Sequence, residues 1–437
     1  MISDTFGINP IGIARGILGL VFLIFIAWIF STNRKAISWK IVFGGIGIQI
    51  LLAIGVLIIR PVQIMFEITG KMFVTVLDFS RSGSQFLFGS LLDVNKFGSI
   101  FVLQVLPTII FFSALTSLLF YMGIIQKIVR IIAWPLTKAF NLSGSESLTV
   151  AGNIFLGQLE APLMVKGYLG KMSRSEIMTI MVAGMGTIAA GVMAVYIGFL
   201  GGNDPVQRLL FAKHLLAASV MAAPGAVVIS KILFPQNETV NEHLEEGKTA
   251  YGANALDSIA KGTWQGLKMA ASVAAMLLVF LAFIAMINFV LVKLGGWTNL
   301  NDWVNNISAG RYQSFNLQFM LGYLFSPVMW MIGACSHDLA LMGQLAGEKL
   351  VTNEFVGYIS LASMKDAGAF LQDRSIIMST YLLCGFANFA SVGMQIGGLG
   401  LLAPEKRKWL SEFGMRSLLG GTLVSLLSAT IIGMMIG

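Results

Sequence analysis

Long apolar runs alternate with short polar punctuation along this chain. Residues 11–30, 41–57, 100–121, 177–200, 209–234, 269–292, 376–402 and 418–437 are each predominantly apolar. A membrane-crossing helix needs about 20 such residues, so the pattern predicts about eight spans. Three further segments mix apolar and polar positions. Residues 61–76 carry Gln63, Glu67 and Lys71; residues 126–140 are basic and amphipathic; residues 297–307 carry Asn299, Asn301, Asp302, Asn305 and Asn306 beside Trp297 and Trp303. Amphipathic faces and headgroup-level tryptophans predict helices lying in the membrane interface. Residues 235–263, with Glu238, Glu242, Glu245 and Glu246, read as a solvated loop.

The apolar pattern is interrupted twice in corresponding places. Residues 144–170 are broken by Gly157-Gln158-Leu159-Glu160-Ala161-Pro162 and are followed by the 177–200 span with Gly184, Gly186, Thr187 and Gly191 in its middle. Residues 319–358 are interrupted in the same way and are followed by the 376–402 span with Gly385, Asn388, Ser391 and Gly393 in its middle. Each pair precedes one more span. Paired, glycine-interrupted segments in two halves point to a secondary-transporter site, and the odd number of crossings between them predicts an inverted repeat. Polar groups at membrane depth gather in four elements: Asn153, Gln158 and Glu160; Thr187 beside Ile188; Ser336, His337 and Asp338; and Asn388, Ser391 and Gln395. Charged groups at depth face a protein interior or a watery cavity, and non-helical backbone is tolerated only there. Amides and carboxylates, with no lysine or arginine among these four elements, suit a neutral hydrogen-bonding solute such as a sugar diol joined to a flat heterocycle.

Composition agrees with a membrane protein: of 437 residues, 56% are hydrophobic and 11% charged, against about 25% charged in soluble domains. The net charge of +8 does not indicate nucleic acid. Its clusters (Arg34, Lys35 and Lys40; Lys127, Arg130 and Lys138; Lys406, Arg407 and Lys408) fall on one face if the N-terminus lies outside, as basic cytoplasmic loops require. The first run follows Asp4 rather than a basic region and reads as a retained span. Cys335 and Cys384 sit in apolar segments as reduced thiols, and His214, His243 and His337 have no metal-ligand spacing.

Three motifs carry a family resemblance. Gly347-x-Lys349-x-x-x-Asn353-Glu354-Phe355-Val356-Gly357-Tyr358 resembles the concentrative nucleoside transporter signature G-x-K-x-x-x-N-E-F-V-A-Y, with Gly357 in place of Ala. The stretch from Asn153 through Leu156, Gln158 and Glu160 to Pro162 resembles the family's first-hairpin motif, and Cys384-Gly385-Phe386-Ala387-Asn388-Phe389-Ala390-Ser391 its penultimate-span motif. The similarity runs in order from about Ser31 to the C-terminus. It implies an all-helical polytopic protein of eight spans, three interfacial helices and two re-entrant hairpins, assembled as a homotrimer in the cell membrane. It divides the chain into scaffold helices (1–125), a first transport repeat (126–235), an acidic loop with a scaffold helix and interfacial helix (236–317), and a second transport repeat (318–437), the repeats moving as an elevator.

By the same resemblance, Gln158, Leu159, Glu160 and Val192 face the base, while His337, Asp338, Phe386, Asn388 and Ser391 face the ribose. Gln395 stays an unassigned pocket residue. Sodium would be held by the side chains of Asn153 and Thr187 and the carbonyls of Leu156 and Ile188. Three departures stand out: Leu159 where Thr or Ser is usual, Asp338 where Glu is usual, and His337 where Asn or Ser is usual. The lost hydroxyl at Leu159 favours purine nucleosides such as inosine or guanosine. The expected activity is cation–nucleoside symport without a cofactor. Proton coupling with pyrimidine or broad selectivity is the alternative, since His337 is a histidine, the side-chain type suited to carrying a proton at physiological pH. A membrane-embedded enzyme built on Cys335, Ser336, His337 and Asp338 is the rival class. Adjacent residues rarely supply nucleophile–base geometry.

Overall fold

The structure, a computed structural model, describes residues 7, 10–97, 100–238 and 252–436. His243, Glu242, Glu245 and Glu246 of the expected loop lie outside the described residues. The main elements are α1 (Pro10–Ile29), α2 (Trp39–Leu57), α3 (Arg60–Phe88), α4 (Leu106–Tyr121), α5 (Ile124–Phe140), α6 (Gly144–Gly152), α7 (Arg174–Gly186), α8 (Ala190–Gly201), α9 (Pro205–Leu233), α10 (Ala255–Trp297), α11 (Leu300–Ile307), α12 (Leu317–Met331), α13 (Leu339–Val351), α14 (Glu354–Asp366), α15 (Asp373–Leu383), α16 (Phe389–Leu402) and α17 (Arg407–Gly433). Helix starts follow the local chemistry. The Ser143 hydroxyl accepts from Glu146 N at 3.1 Å, Ser173 and Glu176 form a reciprocal capping box, and Asp204 precedes Pro205 at the first position of α9. Each such cap satisfies donors the helix itself cannot.

Seven helices among the described residues are long and apolar enough to cross a membrane, the α7–α8 pair counting as one of them. The predicted span 376–402 is absent from that set because it breaks into two short pieces, and the span 177–200 breaks too. After α7 the backbone is extended at Thr187 (φ −121°, ψ 169°) and Ala189 (φ −70°, ψ 147°). Glycines at 184 and 186 followed by the β-branched pair Thr187-Ile188 make poor helix. Three other expectations are corrected. The 61–76 segment is part of one 29-residue helix, α3. The loop 235–263 ends early, because Asn254 caps α10 and helix begins at Ala255. At 43 residues, α10 is about 64 Å long, roughly twice the ~30 Å hydrocarbon core. Finally, the second interrupted stretch contains two turns rather than one. Residues 332–338 join α12 to α13, and Thr352-Asn353 join α13 to α14.

Burial sorts the helices. The apolar window of α9 is 94% buried and that of α10 only 11%, so α9 is a central post and α10 lies at the rim. Along α10, glycine allows close approach to α4: a Cβ on Gly266 would fall 2.7 Å from Ile110 Cα. Small residues at such seams let helices pack without side chains between them. The two halves repeat one another. In the first, α6 turns back at residues 153–160, packs on α7, and α7 packs on α9; in the second, α13 turns into α14, packs on α15, and α15 packs on α17.

Candidate binding site at two crossed helix breaks

The α7–α8 break and the α15–α16 break touch backbone to backbone. Gly385 has φ +121°, and a Cβ there would lie 2.7 Å from Met185 O and 2.9 Å from Gly186 O. Only glycine meets both the dihedral and the approach. The first turn, residues 153–160, is stitched to this crossing. Phe155 O accepts from Ala190 N at 2.8 Å, at the start of α8, and Ile154 O accepts from the Ser219 hydroxyl of α9 at 2.8 Å. Within the turn, Glu160 folds back so that its carboxylate accepts from Gly157 N at 3.3 Å.

The second turn reaches the crossing from the other half. Asn353 caps α14, its Oδ1 accepting from Val356 N at 3.0 Å. This sets Glu354 in the first turn, fully inside the protein. Its carboxylate accepts from the Asn388 amide at 2.9 Å and from the Tyr196 hydroxyl at 3.2 Å. Asn388 in turn caps α16, its Oδ1 accepting from Ser391 N at 2.8 Å. Tyr196 stacks on Tyr358 with ring centroids 3.9 Å apart, which locks the hydroxyl that holds Glu354.

Five buried polar atoms here have no hydrogen-bond partner among the described residues. Both amide atoms of Asn153, Gln158 Oε1, Ser391 Oγ and Gln395 Oε1 are buried without a hydrogen-bond partner. Buried polar atoms are nearly always paired, so five orphans around one crossing call for a ligand. Gln395 donates from Nε2 to Met181 O at 3.0 Å, which fixes Oε1 as its free acceptor. It meets Gln158 over Gly184: a Cβ on that glycine would lie 2.7 Å from Gln395 Nε2 and 2.9 Å from Gln158 Cβ. The Leu159 side chain covers Gly398 of α16. Val192 is buried on α8, between Ala190 and Tyr196, and Phe386 is half-buried within the second break. Thr187 is buried at the end of α7 with its hydroxyl donating to Ala183 O at 2.8 Å, and Leu156 and Ile188 are buried beside it. Among the described residues, no donor reaches the carbonyl oxygens of Leu156 or Ile188.

Two expected ribose residues are not brought to this cluster. Asp338 is buried, but its carboxylate accepts from Leu371 N at 2.9 Å and Gln372 N at 3.3 Å. Those amides precede α15, whose 11 residues put the break about 16 Å away. His337 and Ser336 are exposed in the same 332–338 turn. The carboxylate that the second half contributes is Glu354. Its signal in the sequence was its place in the Asn353-Glu354 pair, where a capping residue precedes an acid inside an apolar stretch. His214 is a core residue, its Nδ1 lying 3.2 Å from the Tyr381 hydroxyl.

Two half-helix pairs crossing beside two chain reversals, with orphaned polar atoms between them, define a multi-pass membrane transporter. Sequence and fold comparisons supply the family. Residues 214–433 match the family described as Na+ dependent nucleoside transporter C-terminus, residues 18–91 its N-terminal counterpart, and residues 102–203 a family described as Gate: Nucleoside recognition. The nucleoside permease NupC of Helicobacter pylori is 35% identical over 428 residues, covering 96% of this chain and 97% of that protein. Sodium/nucleoside cotransporter 1 of Mus musculus is 36% identical over 420 residues, and this chain spans 61% of that longer protein. The fold matches CNTnw in an inward-facing substrate-bound state with a TM-score of 0.86, 35% identity and 97% coverage of both chains. It matches an outward-facing state of CNTnw with a TM-score of 0.88 and 35% identity, covering 97% of this chain and 98% of that one. The chain belongs to the concentrative nucleoside transporter family. It is a transporter and not an enzyme.

Proposed function

We propose that this chain is a secondary active symporter that imports nucleosides with sodium. The observation that carries the reading is the cluster of unpaired buried polar atoms on Asn153, Gln158, Ser391 and Gln395 where the two breaks cross. They divide by chemistry. Gln158 and Glu160, with Leu159 and Val192 as apolar walls, suit a heterocycle edge. Glu354, Asn388 and Ser391, with Phe386 beside them, suit a ribose diol, because one carboxylate can take two hydroxyls. Leu159 brings no hydrogen-bonding group, and its branch lies over Gly398. Apolar surface at that point favours the larger purine face, so inosine and guanosine are the proposed substrates.

Sodium suits the other group of orphans. Oxygen ligands from Asn153 and Thr187 and the carbonyls of Leu156 and Ile188 form a neutral cage. The cage shares the Phe155–Ala190 stitch with the nucleoside side, so filling one side steadies the other. His337, exposed and remote, gives proton coupling no support from the geometry.

Transport needs opening. The cavity beside Glu160 measures ≈ 20 Å³ and is walled by Phe112 and Ser113 of α4 and by Gln265 of α10. That is room for about one water, so a nucleoside enters only when the repeats separate from α4 and α10. We take residues 1–125 and 236–317 as scaffold and the two repeats, 126–235 and 318–437, as an elevator that moves against it. The outward apolar face of α10, with Leu278, Phe283 and Phe289 exposed, suits a homotrimer in the cell membrane, with the N-terminus outside.

The experiment is uptake of radiolabelled inosine and uridine into proteoliposomes, first under a sodium gradient and then under a proton gradient alone. Sodium-driven inosine uptake is expected. Uptake driven only by protons would move the coupling role to a carboxylate, and preference for uridine would overturn the reading of Leu159.

A further inference from the structure

Lys349 is a buried cation that the site so far leaves without a role. It lies in the last turn of α13, only 4% exposed. Its ammonium donates to Leu382 O at 2.9 Å and to the Ser425 hydroxyl at 3.1 Å. Ser425 donates onward to Cys384 O at 2.6 Å. Leu382 lies in the last turn of α15, where the final carbonyls have no partner inside the helix and carry the negative end of the helix dipole. The ammonium therefore sits directly on the C-terminal end of the half-helix that leads into the 385–388 break. Glu354 follows five positions along the chain, across the Thr352-Asn353 turn.

The first repeat has the same layout with a neutral residue. There α6 leads to Asn153, two residues before the Phe155 carbonyl that accepts from Ala190 N just past the 187–189 break, and its amide is orphaned. One repeat therefore offers an open oxygen cage at its half-helix end. The other has a lysine at its own.

We propose that Lys349 is a tethered cation: it occupies in the second repeat the place that a cation from solution takes in the first. It neutralises the end of α15, holds Leu382 and Cys384 in place, and so positions Phe386 and Asn388 for the nucleoside. Lys349 acts through these groups and is a positioning residue. The inference rests on the reading of the crossing as a nucleoside site.

The test uses the full-length protein with two substitutions. Lys349→Met keeps most of the stem and removes the charge; Lys349→Ala leaves a space that a small cation can enter. Both are expected to lower inosine uptake by roughly tenfold or more, the effect of losing a partly buried charge at a helix end. Methylammonium added to Lys349→Ala is expected to restore uptake in a saturable way and to raise its melting temperature. It is expected to do neither for the wild type or for Asn388→Ala. Normal uptake by Lys349→Met would overturn the proposal. So would loss in both variants with no effect of methylammonium on either uptake or melting. If the wild type itself takes up no nucleoside, the transport reading fails, while the melting shift of Lys349→Ala still decides the tethered cation.

Discussion

Asn388 and Glu354 are joined by a 2.9 Å hydrogen bond between residues 34 apart in the sequence. The bond ties the turn of the second hairpin to the break of the penultimate span. It leaves each side chain with a second attachment, Asn388 to Ser391 N and Glu354 to the Tyr196 hydroxyl. Neither group can rotate alone.

Replacing Glu354 by Gln puts an amide opposite the Asn388 amide and the Tyr196 hydroxyl. A hydrogen bond to a charged group contributes about 1.5–3 kcal/mol. The efficiency of inosine uptake (maximal rate over KM) should therefore fall by roughly tenfold to a hundredfold. Asp338→Asn provides the contrast. It should lower thermal stability by about 1–3 kcal/mol through the amides of Leu371 and Gln372, with the nucleoside KM unchanged. Kinetics of both variants beside their melting curves check the reassignment.

Asn153→Ala removes two buried amide atoms from the proposed sodium cage. Uptake should need a higher sodium concentration to reach half its maximum, with the inosine KM at saturating sodium little altered. A sodium titration at fixed inosine measures this. An unchanged sodium response would remove Asn153 from the cage.

Gly385→Ala should abolish transport. The added Cβ meets Met185 O and Gly186 O at 2.7 and 2.9 Å with φ at +121°, a conformation that costs a non-glycine residue of order 1–3 kcal/mol before any clash. Gly393→Ala, eight residues on and facing open space, should transport normally. Uptake assays on the pair separate a local requirement from a general intolerance of alanine in this span.

Lys231 and Glu146 form a 2.6 Å ion pair between α9 and α6, with side chains 4% and 0% exposed. Removing one partner of a buried pair typically costs about 3–5 kcal/mol, because the other charge is left buried and uncompensated. Lys231→Met should therefore melt at a clearly lower temperature, and Lys231→Met combined with Glu146→Leu should recover much of the loss. Thermal unfolding in detergent tests this, since the pair anchors the base of the first hairpin.

The helical, membrane-spanning character of the chain was legible because apolar runs of spanning length leave few alternatives. The first hairpin was legible because Gly157, Glu160 and Pro162 interrupt such a run in six residues. The second hairpin is harder to place: Ser336-His337-Asp338 is the more polar interruption, yet that turn lies at the far end of α15. Its real turn holds only Thr352 and Asn353, too short to register as a gap in hydrophobicity. Glu354 directly follows that short turn and is equally inconspicuous in the hydrophobic pattern. The breaks at 187–189 and 385–388 depend on a tertiary contact between Gly385 and Met185. No periodicity along one segment can show a contact of that kind.

That contact is made of main chain alone. Side chains at a junction between helices act as cushions, absorbing small displacements through rotamer changes. Where Gly385 rests on Met185 there is no cushion, so the proposed cage at Asn153 and the proposed diol-facing groups at Asn388 share a stiff common floor. A ligand that settles either side reshapes the other by the same free energy, whichever arrives first. In the proposed symport, the joint carriage of sodium and nucleoside then traces back to the absence of one methyl group.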